Sequence, residues 1–89
     1  MIRETIFFSG RVQGVGFRYA ANEIAKNLKV TGTVENLDDG RVRIIVEGRS
    51  PTIDQFVESI RIWSSGKLKT IDRFQSEASL QFDGFKIVR

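Results

Sequence analysis

An α+β two-layer sandwich, with two helices on one face of a mainly antiparallel sheet, is the fold class this sequence predicts. Three observations carry that expectation: two segments whose apolar residues recur at helical spacing, several short β-rich runs bounded by turn residues, and their order, βαββαβ with a short extra strand. A chain of 89 residues has room for one core, so residues 1–89 are expected to form a single domain.

The elements follow one by one. Ile6 and Phe8 alternate with Thr5, Phe7 and Ser9, which predicts a strand over about residues 4–10. A glycine-rich stretch, Gly10-Arg11-Val12-Gln13-Gly14-Val15-Gly16, comes next. Phe17, Ala20, Ala21, Ile24, Ala25 and Leu28 then make one helical stripe over 17–28, with Asn22, Glu23, Lys26 and Asn27 on the other side. Val30–Leu37 and Gly40–Glu47 are β-rich runs joined by Asp38-Asp39-Gly40, a hairpin signal because glycine tolerates positive φ. Ser50-Pro51 reads as a helix start, with Ser50 as N-cap and Pro51 pre-set for the first turn. Ile53, Phe56, Val57, Ile60 and Trp63 form the second stripe, on which Trp63 is expected to be a core residue. Ser64-Ser65-Gly66 ends that helix, and β-like stretches at 71–80 and 85–88 follow, broken by Asp83-Gly84. This order and layering is the ferredoxin-like, split βαβ arrangement.

Composition narrows the chemistry. Cysteine and histidine are both absent, which excludes disulfides, thiolate metal sites, Cys-His and Ser-His pairs and phosphohistidine intermediates. Arg, Lys, Asn, carboxylates, hydroxyls and backbone remain. The net charge of +3 is spread without runs of like charge, which suits a small anionic ligand at least as well as a nucleic acid. No apolar run exceeds three residues, so neither a membrane span nor a signal-peptide core is expected, and a soluble cytoplasmic protein follows as the expectation.

The segment Gly10–Arg18 joins a strand end to a helix start, where the first-turn N–H groups lack helical partners. Gly14 and Gly16 let the chain curl so that amides point inward, and they let an oxyanion approach without meeting a Cβ. Phosphate suits such a nest. The Gly-Lys-Ser/Thr of a Walker loop is missing, and the glycine spacing does not match a dinucleotide fingerprint. Arg18 in the first helical turn opposes the helix dipole at a cost of roughly 0.3–1 kcal/mol, which a guanidinium gripping phosphate oxygens would explain. Asn36, just before the hairpin turn, either caps that turn or, if the hairpin lies beside the first strand, faces the loop and orients a water without titrating. Asp38 and Asp39 read as turn residues, and no metal site is expected.

Gly10-Arg11-Val12-Gln13-Gly14-Val15-Gly16-Phe17-Arg18 resembles the signature loop of the acylphosphatase family, and Gly32-Thr33-Val34-Glu35-Asn36-Leu37-Asp38-Asp39-Gly40 is similar to its second motif. Glu47-Gly48 and the closing Gly84-Phe85-Lys86-Ile87-Val88-Arg89 are also family-like, and Lys67–Gln81 is only weakly so. The resemblance implies a ferredoxin-like sandwich that hydrolyses acyl phosphates to a carboxylate and inorganic phosphate, with no metal or organic cofactor. It further implies that Arg18 binds phosphate, that the backbone of Gln13, Gly14, Val15, Gly16, Phe17 and Arg18 is the phosphate cradle, and that Asn36 positions water. Thr33, where many relatives carry a large aromatic, and Leu37, where some carry a hydroxyl residue, depart from the pattern.

The expected partners are therefore an acyl phosphate and inorganic phosphate, with no nucleic acid or membrane and with a monomer as the default. Two alternatives stand beside this one: a phosphate-binding module without activity, and a ferredoxin-like RNA-binding module. Against the RNA reading, the hairpin strand Arg41–Glu47 carries no aromatic residue.

Overall fold

The computed structural model describes residues 1–88, so the closing Arg89 lies outside the described residues. In chain order the elements are β1 (Ile2–Gly10), α1 (Phe17–Leu28), β2 (Thr31–Asn36), β3 (Val42–Gly48), α2 (Ser50–Trp63), β4 (Leu68–Glu77) and β5 (Phe85–Val88). The strands form one sheet in the order β4-β1-β3-β2-β5. All neighbours are antiparallel except β2 and β5. The expected sandwich, two helices on a mainly antiparallel sheet, is what the chain adopts.

Period-two alternation decides which face each strand buries. Ile6 and Phe8 of β1, Val42, Ile44 and Val46 of β3 and Val34 of β2 share the helix-facing side and are fully buried. Against them pack Phe17, Ala21 and Ala25 of α1 and Ile53, Phe56, Val57 and Ile60 of α2. Aromatic contacts join the layers, Phe8 with Phe17 at 5.2 Å between ring centres and Phe56 with Phe85 at 5.8 Å. Among the described residues, no helix is long and apolar enough to cross a membrane.

Three expectations need correction. Ser50 is the first residue of α2 rather than its cap: Arg49 holds the N-cap position, no side chain caps the end, and the backbone closes the first turn through Ile53 N–H to the Arg49 carbonyl at 3.0 Å. The fourth strand runs over 68–77 rather than 71–80, because it pairs with β1 along nearly all its length and long-range register outranks local pattern. Residues 79 and 80 are instead drawn away by Glu47, which accepts the Ser79 and Leu80 N–H groups at 2.7 and 2.8 Å. Trp63 is not a core residue. It ends α2 with 41% of its surface exposed, meeting Phe17 edge-on at 6.1 Å.

Candidate active site

The loop between β1 and α1 is fixed at its base and open at its top. A bulge displaces the β1–β4 register at Ser9 and Gly10, and Arg11 N–H donates to the Lys67 carbonyl at 2.8 Å. The Val12 side chain is buried and anchors the turn. Gly14 and Gly16 then take φ of +76° and +80°, the left-handed region. A Cβ at either position would meet no atom within 4 Å, so the backbone conformation asks for glycine there and the space above both residues stays clear.

Gly16 is the N-cap of α1; no side chain caps this end and the first turn holds no acidic residue. Its carbonyl accepts Ala20 N–H at 3.0 Å. Among the described residues, no protein acceptor takes the N–H groups from Gln13 to Tyr19. They form a row of free donors at the positive end of a helix dipole, an arrangement that favours an anion.

Sheet register supplies the opposite wall. Phe8, Val42 and Asn36 lie side by side across β1, β3 and β2, so Asn36 faces the helix layer with Phe8 and Val42 rather than pointing away from it. Its Oδ1 is buried without a hydrogen-bond partner among the described residues. Such an acceptor costs about 1–3 kcal/mol until a donor reaches it. Loop and hairpin are tied together by Gln13, whose Nε2 donates to the carbonyls of Leu37 at 2.8 Å and Arg41 at 3.0 Å.

Arg18 completes the constellation. Its guanidinium is partly buried, and Nη1 makes only a long contact, 3.4 Å, with the Val88 carbonyl at the end of β5. Arg3, Arg41, Arg43, Arg61 and Arg73 each pair with a carboxylate, whereas Arg18 pairs with none among the described residues. Together Gly14, Gly16, Phe17, Arg18, Tyr19 and Asn36 line a cleft of about 250 Å³, with Val12 and Ile87 completing its wall. Asp39 of the hairpin is engaged elsewhere: it accepts from the N–H and Nε of Arg41 at 3.0 and 2.8 Å, closing the turn.

Loop amides without acceptors, an arginine without a carboxylate partner among the described residues, and a carboxamide meet in one cleft. The acylphosphatase family model matches residues 4–87. The chain belongs to the acylphosphatase family. It is similar to the acylphosphatase of Methanospirillum hungatei JF-1, at 41% identity over 69 residues covering 78% of this chain and 76% of that one. Similarity to the acylphosphatase of Salinibacter ruber is 38% over 82 residues, covering 91% and 86%. The crystal structure of acylphosphatase from Bacillus subtilis matches at TM-score 0.93 and 39% identity, across 100% of both chains. Its activity is that of the acylphosphatases, enzymes acting on small acyl phosphates.

The local sequence pattern pointed to Arg18, Asn36 and the loop, Gln13 included for its backbone, but not to the Gln13 side-chain tie, Tyr19 or Ile87. The Gln13 side chain binds the hairpin, a contact spanning 24 positions that no local spacing could reveal. Tyr19 and Ile87 line this acylphosphatase cleft from α1 and β5. Tyr19 alone offered a signal, as an exposed aromatic directly after Arg18.

Proposed function

We propose that the acylphosphatase reaction of this chain uses the N–H groups of Gln13–Arg18 and the Arg18 guanidinium to hold the phosphoryl group, and Asn36 to hold the attacking water. The observation that carries this reading is that Asn36 lines one cleft with Gly14, Gly16, Phe17 and Arg18, in a loop whose N–H groups find no protein acceptor among the described residues. A water held by the Asn36 carboxamide turns a lone pair toward phosphorus. Its oxygen bonds to phosphorus as the bond from phosphorus to the acyl oxygen breaks, the electron pair leaves with the carboxylate, and a water proton passes to a phosphate oxygen. An acyl phosphate is an activated mixed anhydride, so positioning and charge stabilisation carry the step without a protein nucleophile. The reading treats residues 1–89 as one domain, and a monomer suffices because every group it uses comes from one chain.

Hydrolysis of benzoyl phosphate with EDTA, in water enriched in heavy oxygen, tests the reading. Label is expected in inorganic phosphate. Label in benzoate, or no turnover by the folded chain, would contradict it.

A further inference from the structure

Beside the phosphate cleft lies a second concavity, about 400 Å³, lined by Gly16, Tyr19, Ala20, Glu23, Ile24 and Trp63. Residues 16, 19, 20, 23 and 24 form one stripe along α1, and Trp63, from the end of α2, is the sixth lining residue. The wall is largely apolar, with Glu23 as its one ionisable carboxylate. Trp63 is held in place rather than loose. Phe17 meets its ring edge-on at 6.1 Å, Lys67 Nζ sits 5.3 Å from its centre, and 41% of the residue remains exposed. Tyr19 is 67% exposed. Both rings therefore present aromatic surface at the groove.

The groove adjoins the phosphate cleft, and Gly16 and Tyr19 line both. Asn36 and Ile87 line only the cleft, from the strand side. A phosphoryl group seated on the loop therefore has the water-holding carboxamide at one wall and the groove opening at another. In-line displacement needs the attacking and leaving oxygens on different sides of phosphorus.

We propose that this groove is the acyl subsite: it receives the leaving carboxylate's organic group and selects neutral, apolar acyl phosphates, aromatic ones above all, over those with an anionic tail. The inference rests on the proposed phosphoryl seat at Gln13–Arg18. Tyr19 and Trp63 supply flat apolar surface for an aryl ring. Glu23 sets the charge preference by repelling a second phosphate or carboxylate.

The test compares benzoyl phosphate with acetyl phosphate, which is too short to enter the groove, in the native chain, Trp63→Ala and the groove-filling Ala20→Phe. Each variant is expected to lower the benzoyl-to-acetyl ratio of kcat/KM by about tenfold, mainly through KM for benzoyl phosphate. The inhibition constant for inorganic phosphate should hold within about twofold, because phosphate occupies only the cleft. An unchanged ratio with both substrates still turned over would overturn the acyl subsite alone and leave the groove to a second copy or another protein. Absence of turnover for both substrates in the native chain would instead overturn the phosphoryl seat, and the subsite with it.

Discussion

Gln13 and Leu37 are joined by a 2.8 Å hydrogen bond from the loop side chain to the hairpin carbonyl, and the same Nε2 reaches the Arg41 carbonyl at 3.0 Å. The two halves of the site are thus held at a fixed separation by one carboxamide, since Leu37 directly follows Asn36. Gln13→Ala removes both bonds at an exposed position, so global stability should fall by about 1 kcal/mol or less. Turnover should fall further, by about tenfold, because small misplacement of catalytic groups is costly. Steady-state kinetics beside urea unfolding checks this, and equal losses in both would show that Gln13 matters only for folding.

Arg18→Gln keeps a side chain of similar shape and removes the charge. The variant should fold, since the guanidinium's only hydrogen bond among the described residues is the 3.4 Å approach to the Val88 carbonyl. Its affinity for inorganic phosphate should drop by roughly a hundred-fold, the scale of a lost charged, bidentate donor. Calorimetric titration with phosphate reads this directly, and unchanged affinity would remove Arg18 from the phosphate seat.

Gly16 combines φ of +80° with open space, so Gly16→Ala brings backbone strain but no clash. The cost should be about 1–2 kcal/mol, or a Tm several degrees lower. Phosphate raises the Tm of a chain that binds it only when folded. That increment should shrink in Gly16→Ala if the nest deforms, and thermal melts with and without phosphate compare the two chains.

Glu47 is buried under the 78–84 crossover. Burial works against its charge, but N–H groups of Ser79 and Leu80, the Arg3 guanidinium and the Ser79 hydroxyl outweigh it and hold its pKa down at about 2, from an ordinary 4.5. A carboxyl depressed on folding binds fewer protons folded than unfolded, so its stabilisation is present above about pH 4.5 and is lost as pH falls toward 2. Unfolding free energy should decline over that window in the native chain and decline less steeply in Glu47→Gln. Urea titrations at several pH values measure both slopes, and identical slopes would exclude Glu47 as the acid-sensitive tether.

What the sequence made legible was whatever local chemistry encodes. Apolar periodicity marked α1 and the buried faces of β1 and β3, Asp38-Asp39-Gly40 marked the hairpin, and the glycine spacing marked the nest. Long-range consequences were less visible. That Asn36 faces the cleft depends on the register Phe8–Val42–Asn36, which sequence could state only as a condition. Trp63 fits the helical stripe of α2, yet α2 ends there, beyond the reach of the sheet, and the ring is left half in solvent. The start of β4 was set by pairing with β1, and its end by Glu47, contacts separated by more than thirty positions.

Asn36→Ala tests the central claim most directly, because Asn36 holds water in this account and touches no bound phosphate. The measurement is kcat for benzoyl phosphate beside the inhibition constant for inorganic phosphate, in native and variant chains of equal Tm. A loss in kcat of about a hundred-fold or more is expected, with phosphate inhibition kept within a few-fold. Native kcat in the variant, or a loss of phosphate binding that matches the loss of turnover, would contradict it.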